Sequence, residues 1–124
     1  METDLKITTE TVQAKQAVTV LHLSGWLNQQ SEEQLLDPAR RAYDQGARFL
    51  VLDLAKVDTL TSAGMRSIQR VFKLFTPESD KGKAARLKIC NSPPQVYHVL
   101  GMTGFLQSIP NYESTQAAID SFEA

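Results

Sequence analysis

The stretch Phe49-Leu-Val-Leu-Asp-Leu-Ala-Lys-Val-Asp-Thr-Leu-Thr-Ser-Ala-Gly-Met65 constrains this chain more than any other. The apolar run Phe49 to Leu52 is rich in strand-favouring residues, too short for a buried helix and closed by Asp53, which is how a strand covered on both faces reads. After the small polar residues Thr61-Ser62-Ala63-Gly64, the pattern changes to helical period. Met65, Ile68, Phe72 and Phe75 recur at three and four residues, with Arg66, Gln69, Arg70 and Lys73 on the other face. The centre of the chain therefore reads strand, turn, helix.

Such a turn presents a hydroxyl at a helix N-terminus, where free backbone N–H groups and the helix dipole favour negative charge. Ser62 is the candidate N-cap, Gly64 allows close approach of another backbone or a nucleotide, and Arg66 lies one turn on. Three readings of Ser62 stand side by side. It is a cap worth about 1 kcal/mol, a nucleophile on a strand-to-helix elbow, or a phosphorylation switch adding about −1.5 to −2 charge. The elbow pattern Gly-x-Ser-x-Gly has Leu60 in place of its first glycine, and no spacing supports Asp80 and His98 as triad partners.

The remaining chain reads as alternating strands and helices. Leu5 to Val12 and Val18 to Ser24 alternate as strands, with the polar Gln13 to Gln16 able to turn a hairpin. His22 reads as a packed or edge side chain, with no ligand at metal spacing. Trp26 reads as a loop residue, either a lid on the core edge or a partner contact. Ser31 and Gln34 fit a capping box ahead of a stripe of Leu35, Leu36, Ala39, Ala42 and Tyr43, ending at Gly46 as C-cap. Pro38 either kinks this helix or restarts it with Asp37 as cap.

Past the central helix, Thr76 to Lys83 reads as a polar loop and Arg86 to Cys90 as a strand. Asn91-Ser-Pro-Pro starts a short helix lined by Val96, Val99 and Leu100 and ended by Gly101, with Tyr97 and His98 facing outward. Thr103 to Leu106 marks a turn, Ile109 a last extended piece, and Glu113 to Phe122 a terminal helix burying Ala118, Ile119 and Phe122. The order β, β, α, β, α, β, α, β, α favours a mixed sheet with packed helices.

Three stretches resemble one family. Leu50 to Met65 resembles the signature of the STAS domain, shared by anti-sigma factor antagonists and the cytoplasmic tails of sulfate transporters. Leu23-Ser-Gly-Trp-Leu-Asn28 resembles its Leu-x-Gly-x-Leu-Asp, and Leu87 to Val96 with Leu100 and Thr103-Gly-Phe105 resembles its C-terminal half. The likeness implies an α/β fold: a single STAS-like domain over 1–124 with a mixed, mostly parallel four- to five-stranded sheet and about four helices. It also implies a non-enzymatic antagonist phosphorylated at Ser62, with Thr61 as second acceptor, and a partner surface of Trp26, Asn28, Thr61, Ala63, Gly64 and Arg66. The implied partner is an anti-sigma factor that is also a serine kinase and supplies the ATP. Where the family carries Asp-Ser-Ser-Gly, this chain has Thr61-Ser62-Ala63-Gly64, and Asn28 replaces another family Asp. The alternative is an unphosphorylated STAS module for protein interaction or small ligands, of the stress-complex or transporter-associated type.

The chain's 124 residues, 42% of them hydrophobic, suit one domain. A net charge of −1 gives no general attraction to nucleic acid or anionic lipid. Cys90, the one cysteine, precludes an internal disulfide and reads as a small buried hydrophobe. With an acidic start and no ~20-residue apolar run, the chain reads as soluble and cytoplasmic, with no membrane segment. It offers no metal-ligand spacing, glycine-rich phosphate loop or cofactor motif. Homo-oligomer formation is left open.

Overall fold

A computed structural model describes residues 5–13, 17–76, 86–104 and 109–123. Five strands form one sheet in the order β1-β2-β3-β4-β5. They are β1 (Lys6–Gln13), β2 (Ala17–Leu27), β3 (Leu50–Leu60), β4 (Leu87–Cys90) and β5 (Asn111–Tyr112). The first pair is antiparallel, and every later pair is parallel. Parallel neighbours need crossovers, supplied by α1 (Glu32–Asp44), α2 (Ser62–Phe75) and α3 (Pro94–Met102), with α4 (Thr115–Asp120) following β5. The element order and mixed sheet match the expectation from sequence.

The two faces of the sheet are covered unequally. Leu21, Leu23, Leu50, Leu52 and Leu54 point to one face, where α1, α2 and α3 contribute Leu35, Ile68, Val71, Phe75, Val96 and Leu100. Val18, Val20, Val51 and Cys90 point to the other, where, among the described helices, α4 and the turn after it contribute Ala118, Ile119 and Phe122. The run Leu50-Val51-Leu52 has zero exposure because it has apolar cover on both sides. The Phe49 ring packs on Phe122 with centroids 5.2 Å apart, and Tyr43 meets Phe75 edge-on at 5.3 Å. Such pairs add roughly 0.5–1.5 kcal/mol beyond area burial.

Several local expectations are corrected. β3 continues past Asp53 to Leu60, so Trp26 lies on β2 in register with Thr59 rather than in a loop. The capping box joins Asn28 and Ser31, not Ser31 and Gln34, because a short 3-10 turn (Gln29–Ser31) precedes α1 and takes Asn28 as its cap. α1 runs through Pro38 without restarting. Its end matches the reading of Gly46, which has φ +105 and donates to the Tyr43 carbonyl, while Ala47 N–H reaches that of Ala42. α3 passes through Gly101, and the left-handed glycine beyond its cap is Gly104. The last strand follows Pro110 instead of containing Ile109, and α4 takes Ser114 as cap. The turn over 14–16, the loop over 77–85 and the residues 105–108 lie outside the described residues.

Candidate functional site: the first turn of α2

The end of β3 and the start of α2 are tied to the end of β2 by one carbonyl. Thr61 N–H donates to the Leu27 carbonyl at 3.0 Å, and Thr61 Oγ1 donates to the same oxygen at 3.3 Å. Thr61 Oγ1 in turn accepts from Gly64 N–H at 3.2 Å, which makes Thr61 the N-cap of α2. Ser62 was expected in that place; it is the first helical residue instead, and it is exposed. The cap falls one residue earlier because Thr61 keeps extended backbone, φ −99 and ψ 172, as a cap residue must.

Gly64 is buried against β2. A Cβ there would run into the carbonyl oxygen and carbon of Leu27. The close approach expected at this glycine is therefore made by the chain's own backbone. Ala63 is half-buried, and its carbonyl accepts from the Ser67 hydroxyl at 3.1 Å. Arg66 is exposed one turn beyond Ser62, and the first turn of α2 carries no acidic residue.

Asn28 and Trp26 stand at the neighbouring strand end. Asn28 Oδ1 accepts from Ser31 N–H at 3.1 Å, Asn28 N–H donates to Ser31 Oγ at 2.9 Å, and Ser31 Oγ donates to the Trp26 carbonyl at 3.0 Å. Trp26 is half-buried and, alternating with buried Leu27, belongs to the opposite face of β2. Thr61 and Asn28 are both caps. Each accepts a helix N–H through a neutral side-chain oxygen.

α3 borders this turn from the other side, where Thr103 Oγ1 lies 3.7 Å from Met65 Sδ. Met102, beside Thr103, is 74% exposed. His98 is exposed on α3, and Asp80 lies outside the described residues.

A second polar cluster, missed in the sequence, occupies the far face of the sheet. His22 bonds to two carboxylates: Nδ1 to Asp53 Oδ2 at 2.7 Å and Nε2 to Glu10 Oε1 at 2.8 Å. The Glu10 bond leads in raising the His22 pKa; burial opposes it, and Asp53 adds to the rise. Burial pushes the Asp53 carboxyl up, but hydrogen bonds from His22, Asn91 and Ala55 N–H outweigh it and hold it below its usual value. The sequence signal was the hairpin register, which sets His22 opposite Thr8, two residues from Glu10. Among the described residues, no group of three or more His, Cys, Asp or Glu side chains could hold a metal ion. No described helix is long and apolar enough to cross a membrane.

This sheet, with its capped turn between the central strand and α2, is that of the STAS domain, whose family profile matches residues 9–118; the chain belongs to that family. BtrV of Bordetella bronchiseptica, named as an anti-sigma factor antagonist, is 33% identical over 101 residues, spanning 82% of this chain and 83% of that protein. An anti-sigma factor antagonist from Mycobacterium paratuberculosis has a TM-score of 0.74 at 20% identity, covering 96% of each chain. The Bacillus cell fate determinant SpoIIAA, in its phosphorylated form, gives 0.66 at 19% identity over 94% of this chain and 99% of that one. Antagonists of this family are regulatory binding proteins, not enzymes.

Proposed function

We propose that this chain is a cytoplasmic anti-sigma factor antagonist whose docking surface is centred on the first turn of α2 and is controlled by phosphate on Ser62. One observation carries the reading. Of the two hydroxyls at the turn, that of Thr61 is engaged with Leu27 and Gly64, while Ser62 is exposed at the first helical position. This supports Ser62 over Thr61 as the acceptor.

The surface around it has a definite charge. Ser62, Arg66, Gln69 and Lys73 recur at three and four residues and are exposed, and no residue of α2 is acidic. They form one stripe, roughly 16 Å long at the helical rise. A partner presenting carboxylates would complement it. Phosphate on Ser62 would sit at the helix N-terminus within reach of Arg66, leaving the domain folded while repelling that partner. The partner is an anti-sigma factor that acts as the kinase and brings the ATP. SpoIIAA, of the same fold, is known in a phosphorylated form.

The test compares wild type with Ser62→Asp for binding to the anti-sigma factor. A loss of ~3 kcal/mol corresponds to more than a hundredfold in affinity. Equal binding, together with no phosphate on this turn by mass spectrometry, removes the switch. A second reading, a constitutive STAS interaction module, is favoured by the neutral side chains at Thr61 and Asn28. A partner recovered independently of ATP supports it.

A further inference from the structure

We infer that Glu10, His22, Asp53, Asn91 and Thr115 form a proton-responsive relay across the far face of the sheet, in which loss of one proton from His22 releases Glu10 and is felt where α3 and α4 begin. The chain of contacts is continuous. Glu10 on β1 meets His22 on β2, which meets Asp53 on β3. Asp53 Oδ1 accepts from Asn91 Nδ2 at 3.0 Å, just past β4, and the same Nδ2 donates to Thr115 Oγ1 at 3.2 Å, in the first residue of α4.

Both ring nitrogens of His22 face carboxylate oxygens, which accept and cannot donate when ionised. Two such bonds need two N–H groups, so the arrangement is that of an imidazolium. When His22 gives one proton to water, only one N–H remains. Asp53 keeps it, because that carboxylate is 15% exposed against 55% for Glu10 and is fixed by Asn91 and Ala55 N–H as well. Glu10 is left facing the bare lone pair of Nε2, and its carboxylate turns to solvent.

The far end of the relay is poised to register this. Asn91 has φ 59, a left-handed backbone uncommon outside glycine but tolerated by Asn. Its side chain is held by Asp53 and Thr115, and α3 starts three residues later. A weaker charge on the His22 side changes the field that Asp53 exerts on Asn91. Among the described residues, Lys6 and Lys56 are the other charged groups that line the depression of about 450 Å³ beside His22. Cys90, next to Asn91, stays a neutral thiol because burial pushes its pKa up to about 11. Lys88, further along the same face, is held by Ser121 and lies over the Phe122 ring. The α4 side presents the neutral Thr115.

The test is an NMR pH titration of the full chain from pH 5 to 9, reading the His22 ring nitrogens and the Asn91 side-chain NH2. His22 should titrate above the usual imidazole value, and Asn91 should follow with the same midpoint. Glu10→Gln, a change at an exposed position, should lower proton affinity at His22 roughly threefold or more and move the Asn91 midpoint with it. His22→Gln should leave Asn91 flat. An Asn91 signal that ignores pH in the wild type, or a midpoint unmoved by Glu10→Gln, overturns the relay.

Discussion

The Leu27 carbonyl oxygen occupies the space that a Cβ on Gly64 would need. That oxygen also accepts from both N–H and Oγ1 of Thr61, so it cannot retreat without breaking the tie between β2 and α2. Gly64→Ala should therefore destabilise the domain by about 1–3 kcal/mol, the usual range for overpacking. Urea unfolding measures this, and a variant as stable as wild type would show that the turn can shift.

Thr61→Ala removes a cap and should cost about 1 kcal/mol. Thr61→Ser retains both the acceptor for Gly64 N–H and the donor to the Leu27 carbonyl, and should recover most of that loss. If Thr61→Ala and Thr61→Ser unfold at the same urea concentration, the cap contributes nothing.

Ser62→Ala should behave differently. Its side chain is exposed, with no hydrogen bond to a described residue, so stability should stay within about 0.5 kcal/mol of wild type. Adjacent hydroxyls would then separate, one structural and one available. Calorimetry on the two alanine variants makes the comparison.

The His22–Asp53 pair should shape stability against pH from both sides. His22 binds its proton more tightly when folded, so its contribution is complete below 6.5 and fades as pH rises through the raised folded value. Asp53 is more acidic when folded, so its contribution is complete above 3.8 and fades as pH falls toward the lower folded value. Urea midpoints should form a plateau between these limits. His22→Gln should flatten the alkaline shoulder, and Asp53→Asn the acid one.

Much of the fold was legible because its signals are local. The Leu50 to Leu52 run, the heptad-like spacing from Met65 to Phe75 and the glycine after α1 each act within a few residues. The errors came where a distant partner decides. Trp26 became a strand residue only because β3 extends to pair with it, and the α1 capping box moved to Asn28 because a 3-10 turn intervenes. The His22 cluster required the hairpin register and the parallel register with β3 together, since its members come from positions 10, 22 and 53. At α2, sequence reading found the turn and placed the cap one residue late, because Thr61 and Ser62 are equally good caps and only the bond to Leu27 chooses between them.

Cys90 has zero exposure and a pKa raised to about 11, so its thiolate is scarce at neutral pH and its sulfur is covered. A thiol-specific reagent such as a disulfide dye should react with it only after denaturation. Rapid labelling of the folded protein at pH 7.5 would mean that α4 lifts readily from the sheet.

Because Thr61 is laced to a neighbouring strand through both its N–H and its hydroxyl, the segment leading to Ser62 cannot be drawn out as an extended peptide without unravelling the start of α2. Any enzyme acting on Ser62 must therefore read a three-dimensional epitope. A short synthetic peptide copying residues 56–68 should be a poor substrate for it, and mutations remote in sequence, on β2, should impair the reaction as much as changes beside the serine.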